Sequence, residues 1–462
     1  MNAGSPDGQT ADGSANEYAL RSFFGRLTYD YDNRYLVEAN IRRDGTSRIF
    51  KDSRWGVFPS FSGAWRIINE PFMEGTRNVL SDLKLRGGWG VLGNQAISYY
   101  SYQSVLDQAN YSFGGTVVQG VAPVDGANRD LIWETTETLN FGLDMGFLGN
   151  QYTLSIEGYR KLTYDILMKL PVSTLYGLNA PYQNAGKVKN TGLEITAGYK
   201  LNTHGWNFQV SANAAYNKNE VMDLKNGGAR IWSGKYFNQE GYAINSIGGY
   251  IAEGLFKTEE EVANSATIPG TDTAPGDIKY RDINNDGKID GEDRVYIGNT
   301  MPKWTFGLNL FAEWKGLDAT FLFQGAADVQ GYLAGPGVVG EMIGAKGKPS
   351  YMYRDCWDAE TNPNGKFPRA FSSYRQNNSI YNPSSFWIVN SSYLRLKNFQ
   401  LGYTLPKEWC NMDGISRIRV YYSGQNLLTF TKFDKGFDPE SPEGGSSYPQ
   451  VKTNTFGLNI TF

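Results

Sequence analysis

Apolar and polar residues alternate along this chain with a period of two. From Asn207 to Asn217, Phe208, Val210, Ala212, Ala214 and Tyr216 are interleaved with Asn207, Gln209, Ser211, Asn213 and Asn217. Leu139, Phe141, Leu143, Met145 and Phe147 alternate with Asn140, Gly142, Asp144 and Gly146. Phe306, Leu308, Leu310, Ala312 and Trp314 alternate with Gly307, Asn309, Phe311 and Glu313. Tyr35, Val37, Ala39 and Ile41 oppose Leu36, Glu38, Asn40 and Arg42, and the chain ends with Phe456, Leu458, Ile460 and Phe462 on one face. Successive side chains of a β-strand point to opposite faces, so this pattern predicts strands.

Strand length separates two kinds of all-β protein. Strands of a soluble sandwich run about 5–6 residues. These alternating runs reach about 10 residues or more, which is what a tilted strand needs to cross a bilayer. Their apolar faces begin or end in Tyr, Trp or Phe, as the aromatic girdles of a membrane barrel require. Their other faces carry Asn, Gln, Ser, Gly and Glu, which suit a water-filled lumen.

The pattern predicts about 13 strands of the membrane type, at 19–31, 33–44, 54–67, 82–94, 135–148, 150–162, 188–201, 205–219, 302–315, 317–327, 391–405, 416–428 and 452–462. Short links at Tyr31–Asn33, Gly149–Gln151, Thr203–Gly205 and Lys315–Leu317 alternate with long ones near 44–53, 95–134, 163–187, 220–301, 328–390 and 429–451. Ile68–Ser81 and Pro406–Ile415 are intermediate and fall in the short series. Alternation of this kind is that of short periplasmic turns and long outer loops. With an odd strand count, a last strand ending in the periplasm requires a first strand that starts outside. Residues 1–18 then form the stub of an extracellular loop and 19–462 part of a larger barrel.

Composition narrows the chemistry. The 44 Lys plus Arg nearly balance 47 Asp plus Glu, for a net charge of -3, so no basic footprint for nucleic acid exists. Aromatic residues make up 14% of the chain, too many for a disordered polymer. A single histidine, His204, leaves a histidine metal cage or a histidine-based triad hardly any material; its setting in LNTHGW is that of a turn residue. Cys356 and Cys410 are the only cysteines. They fall in an outer loop and a periplasmic link, a membrane thickness apart, beyond the less than about 7 Å Cα reach of a disulfide. No apolar run is long enough for a transmembrane helix. MNAGSPDGQTADGSANEY has no charged start or apolar core and does not read as a signal peptide.

Several segments carry a family resemblance. YALRSFFGRLTYDYDNRYLVEANIRRDGTSR (18–48), RWGVFPSFSGAWRI (54–67), LKLRGGWGVLGN (83–94), NTGLEITAGY (190–199), GQNLLTFTKFDKGFDPE (424–440) and the terminal FGLNITF resemble the SusC/RagA branch of TonB-dependent outer-membrane transporters, in family order. The resemblance implies an antiparallel transmembrane β-barrel of 22 strands, of which this chain is the C-terminal part. It also implies an N-terminal plug, energisation by TonB, a SusD-like lipoprotein partner and a glycan or peptide cargo. The plug and first barrel strands have no counterpart in this sequence. No enzyme activity is expected of such a wall.

One motif stands out locally. In RDINNDGKIDGEDR, Asp282, Asn284 and Asp286 occupy positions 1, 3 and 5 of a calcium loop, Gly287 position 6, Lys288 position 7 and Asp293 position 12. Hard oxygen ligands at that spacing predict a structural Ca2+ clip in an outer loop, without EF-hand helices. The competing reading is an Asp/Gly-rich surface turn without metal. Outer-loop aromatics (Trp133, Tyr176, Tyr182, Trp232, Tyr236, Trp357 and Trp387) fit either sugar contact or loop packing, and packing accounts for any single one of them more simply. The run Glu259–Glu261 reads as a solvated loop helix. GGWGVLGN lies in a strand pattern with no helix after it and is no phosphate loop. Two other functions compete with transport: a self-contained porin or adhesin of about 13 strands, and a soluble β-rich carbohydrate-active enzyme with two carboxylates across a cleft.

Overall fold

A computed structural model of the chain describes residues 13, 15–333, 354–370, 382–410, 414–433, 437–441 and 450–462. Thirteen strands form one sheet. They are β1 Leu20–Tyr31, β2 Tyr35–Thr46, β3 Trp55–Arg66, β4 Leu80–Asn94, β5 Glu134–Phe147, β6 Tyr152–Tyr164, β7 Lys187–Thr203, β8 Trp206–Asp223, β9 Trp304–Trp314, β10 Leu317–Ala327, β11 Tyr393–Thr404, β12 Arg417–Thr431 and β13 Thr453–Thr461. Each pairs with its neighbour in sequence, and the pairings are antiparallel. Among the described residues β1 pairs only with β2 and β13 only with β12. The sheet therefore stays open, as the partial-barrel reading requires, and does not close into a small barrel. Residues 1–12 and 14, most of the expected loop stub, lie outside the described residues.

The short links obey turn chemistry. His204 and Gly205 both have positive φ (50° and 81°), as do Lys315 and Gly316 (48° and 85°). Each pair joins strands in register Thr203↔Trp206 or Trp314↔Leu317. Positive φ at both central residues is the two-residue turn whose twist matches paired strands. His204 is thus a turn residue, as its setting predicted. A Cβ on Gly316 would lie 2.6 Å from the Thr404 carbonyl, so only glycine fits there.

Period two becomes two faces. The apolar series joins across strands in rings: Phe321 on Phe399 (4.8 Å), Phe399 on Tyr422 (5.9 Å) and Tyr422 on Phe456 (5.3 Å). Phe456 and Leu458 therefore share this outward face, as the alternation predicted. Aromatic pairs sit at both ends of the band. Tyr35–Trp65, Tyr152–Tyr199 and Trp206–Trp314 lie by the short turns; Phe23–Trp55 and Tyr216–Trp304 lie by the long loops. From Trp206 to Tyr216 the strand rises roughly 34 Å; at a tilt of about 40° that is about 26 Å along the membrane normal, close to the height of an outer-membrane apolar band.

A wall one strand thick has lipid on one side and water on the other, so it buries little. The largest core lies in the outer loops instead. Ile247, Tyr250, Ile268, Ile278, Tyr280 and Ile289 pack with Tyr332, Leu333, Cys356 and Trp387, and with Phe433. Three long links thus fold together as a cap. A four-stranded sheet braces it, made of Ile231–Ser233, Tyr236–Asn238, Ser246–Gly249 and Val295–Gly298. Buried Asp277 takes a two-pronged ion pair from Arg369 (2.8 and 3.1 Å), which ties the first link to the second.

Cys356 is a buried thiol of this cap and not half of a disulfide. Cys410 ends the short helical turn Lys407–Cys410 between β11 and β12, at the opposite rim; its side chain lies outside the described residues. Burial, with Asp355 adding to it, pushes the Cys356 thiol up to about 11. Little thiolate then exists at neutral pH. In the folded protein, Cys356 is expected to resist a water-soluble maleimide at pH 7.5 and to react once guanidinium is added. Fast native labelling of the Cys356 peptide would contradict its place in the core.

Candidate functional site: the inner wall and the loop cap

The inward face is polar and hydrogen-bonded across strands. Lys84 and Arg86 of β4 hold Asp144 of β5 (2.8 and 3.2 Å), and Arg86 also pairs with Glu157 of β6. Asn140 donates to Glu157 (2.9 Å) and Ser155 to Asp144 (2.7 Å). Arg26 pairs with Glu38 (2.6 Å), Arg419 with Asp318 (2.8 Å), and the Tyr159 hydroxyl reaches Asn217 (3.2 Å). Such pairs become neighbours only through strand register, so the linear sequence hides them. The face they make is hydrophilic and held in shape, which suits the passage of a polar solute.

At the outer rim the second buried charge network pins a loop to the wall. Arg395 of β11 is 2% exposed. Its guanidinium donates to both oxygens of Asp438 (2.9 and 2.8 Å), to Glu440 (3.0 Å) and to the Thr429 hydroxyl (3.0 Å). Glu440 also accepts from Lys397 (2.8 Å) and Tyr393 (2.7 Å), and Ser391 donates to the Pro439 carbonyl (2.7 Å). Asp438 and Glu440 belong to the FDPE stretch that carries part of the family resemblance, and this clamp is what they do.

The predicted calcium loop is a compact, self-capped turn. Asp282 Oδ2 accepts from the Gly287 amide (2.8 Å), Asn284 Oδ1 from Asp286 (3.1 Å) and Asp286 Oδ1 from Lys288 (3.1 Å). Asn285 and Gly287 take positive φ. Lys288 Nζ lies 2.8 Å from Asp290 and 3.4 Å from Asp286. Asp293 is fully buried, with its two oxygens on the amides of Ile283 and Asp290 (2.8 Å each). It thus caps the turn Gly291–Asp293. Asp282 Oδ1 is buried with no hydrogen-bond partner. Among the described residues, no group of three or more His, Cys, Asp or Glu is set to hold a metal.

The outer-loop aromatics mostly pack. Trp133 joins Ile49 and Phe58 and donates to the Arg54 carbonyl (2.9 Å); Trp357 and Trp387 are buried in the cap. Tyr176 stays exposed. The Glu259–Ala263 helix is real: Thr258 caps it by accepting from the Glu261 amide (3.1 Å), with three glutamates in its first turn, where the helix dipole favours them.

An open sheet with one lipid face, one wet face and a folded outer cap defines part of a large outer-membrane barrel. The family described as "TonB dependent receptor-like, beta-barrel" matches residues 1–427, and the chain belongs to that family. It is an outer-membrane protein. It is 31% identical to TonB-dependent receptor P3 of Formosa agariphila over 97% of this chain and 46% of that protein. It is 32% identical to TonB-dependent receptor SusC of Bacteroides thetaiotaomicron over 98% of this chain and 44% of that protein. The chain therefore spans just under half the length of these relatives. In three dimensions it resembles a chain of the structure titled "Structure of the RagAB peptide transporter", with a TM-score of 0.79, 28% identity, and coverage of 96% of this chain and 48% of that one.

Proposed function

We propose that this chain forms the C-terminal part of the wall and the outer mouth of a TonB-dependent nutrient transporter that imports oligosaccharides with a SusD-like lipoprotein. The observation that carries the reading is the hydrogen-bonded polar inner face, from Arg26–Glu38 to Arg419–Asp318, set behind a lipid-facing aromatic band. Its role is passive: the outward face satisfies lipid, the strands close their own backbone hydrogen bonds, and the inner face solvates cargo without bond-making chemistry. The relative named TonB-dependent receptor SusC supports the TonB-dependent part of the proposal; the glycan and lipoprotein parts rest on the SusC/RagA resemblance of the sequence. Peptide cargo is the second reading, favoured by the likeness to the RagAB peptide transporter. Growth of the source cell on defined oligosaccharides or peptides, with the gene intact or deleted, tests both. A deletion that slows growth on oligosaccharides, and only when TonB is present, supports the first. Loss confined to peptides supports the second, and no growth defect on either contradicts uptake.

We also propose that Asp282, Asn284, Asp286 and the Lys288 carbonyl hold a structural calcium ion, with Asp293 bracing the loop beneath. The unpartnered Asp282 Oδ1 supports this, and carboxylate, amide and carbonyl oxygens are the donors calcium takes. Millimolar calcium is expected to slow proteolysis between 224 and 303 relative to chelator, and Asp282→Ala to abolish that protection with the wall intact. Equal cleavage in calcium and chelator would leave the plain turn.

A further inference from the structure

Among the described residues, Arg230 and Arg294 of the cap pair with no carboxylate. Arg230 precedes the strand Ile231–Ser233, and Arg294 precedes Val295–Gly298. The Arg294 guanidinium lies 3.9 Å over the Trp232 ring; that of Arg230 lies 5.9 Å from the same ring and 5.0 Å from Phe237. Arg230 donates to Gln239 (2.8 Å) and to the Arg294 carbonyl. Arg294 donates to the Gly234 carbonyl (3.2 Å), and its Nε is buried with no hydrogen-bond partner. Among the described residues neither guanidinium forms an ion pair.

The nearby carboxylates are already engaged. Asp290 accepts from Lys288 (2.8 Å) and the Glu292 amide (2.9 Å), and Asp293 caps two amides. Burial pulls the Arg294 guanidinium below its ordinary value; Tyr250 and Tyr332 oppose that, and Arg230 adds to it. Like charges at close range in a half-buried place are stabilised when an anion arrives.

A row of rings leads away from the pair. Trp232 meets Phe237 (5.3 Å), Phe237 meets Tyr242 (5.4 Å) and Tyr242 meets Tyr296 (5.6 Å). Arg294 has extended backbone. Tyr296, two residues on, therefore shares its face, and it is 41% exposed.

We propose that Arg230 and Arg294 receive the carboxylate of an acidic oligosaccharide, whose neighbouring sugar lies against Tyr296. The planar guanidinium presents paired donors that match a carboxylate, and the exposed ring offers a flat apolar face for sugar C–H groups. The ring row beside the cations is what favours a sugar over an acidic peptide. The inference rests on the uptake reading and names the class of its cargo.

The test uses the intact protein purified from outer membranes in detergent. Binding of trigalacturonate, maltotriose and triglutamate is measured by calorimetry at low and high salt. Trigalacturonate is expected to bind about tenfold or more tighter than maltotriose, a difference of about 1.4 kcal/mol, and the advantage should shrink in high salt. The double variant Arg230→Gln/Arg294→Gln should bind the two trisaccharides alike. Arg294→Lys, which keeps the charge and loses the planar fork, should retain part of the preference and serves as a second test if the double variant misfolds. Equal wild-type binding of the trisaccharides, or a preference that survives the double substitution, overturns the site. Tighter binding of triglutamate overturns the choice of a sugar. An intact binding preference in a protein that carries no cargo across the membrane contradicts the uptake reading alone.

Discussion

Replacing Arg395 with methionine is expected to destabilise the outer rim by about 3–5 kcal/mol, the usual loss when one partner of a buried charge network is removed. The reason is what stays behind. Asp438 and Glu440 are both largely buried, with side chains 17% and 18% exposed; Asp438 takes its charge from Arg395, and Glu440 from Arg395 and Lys397. Lys397 still reaches Glu440 but leaves Asp438 without a cation. The segment 437–441 should then leave the wall and its link become a protease target, with the rest of the sheet intact. The triple variant Arg395→Met/Asp438→Asn/Glu440→Gln removes the charges together and should recover most of the loss, because replacing a whole buried network by neutral groups is often neutral. Trypsin cleavage within the loop and thermal unfolding in detergent read both variants. An unchanged single variant, or a triple variant no better than the single, would contradict the clamp.

Trp387→Ala is the second large effect. Trp387 is 2% exposed in the cap core, edge-on to Phe386 at 4.9 Å, and truncating a buried Trp costs about 3–5 kcal/mol. The Trp387 ring shares its core with Ile247, Ile278 and Ile289 of the first link, so the second link should loosen from the first. Hydrogen exchange should speed at Ile247–Tyr250 and Ile278–Tyr280 and stay slow in β7 and β8. Trp387→Phe should cost far less, since the indole Nε1 has no hydrogen-bond partner to lose. If the wall strands exchange faster along with the cap, the two are one cooperative unit and the separate core is contradicted.

Where one face meets lipid and the other water, the sequence carries the fold openly. The runs through Phe208–Tyr216 and Phe306–Trp314 announce β8 and β9 within a few residues of their ends, and His204–Gly205 marks the turn before β8. The ends are less legible: β8 extends to Asp223 because Lys218–Glu220 are polar on both faces above the membrane, where no lipid imposes alternation. There Val188, Val221 and Leu224 make a small core of their own. The cap was hidden for a different reason. Ile247, Ile268, Ile278 and Ile289 are isolated apolar residues among Gly, Asp and Asn, and their partners Tyr332 and Trp387 lie in another link. Arg395 and Asp438, 43 residues apart in sequence, and the Arg230–Arg294 pair arise the same way, from contacts without a local signature. The Asp282–Asp293 motif was legible as a loop, and its ligand chemistry awaits calcium itself.

The central claim is that the thirteen strands stand in a bilayer with lipid on one face and a wet lumen on the other. Spin labels placed singly at 207 to 214 of β8, in the intact protein in outer-membrane vesicles, test it most directly through collision with oxygen, which favours lipid, and with a water-soluble nickel chelate. Labels at 208, 210, 212 and 214 should favour oxygen, and those at 207, 209, 211 and 213 the nickel chelate, in strict alternation. A face closed to both reagents would mean a dry protein core, and nickel access on both faces would mean no bilayer; either result contradicts the account.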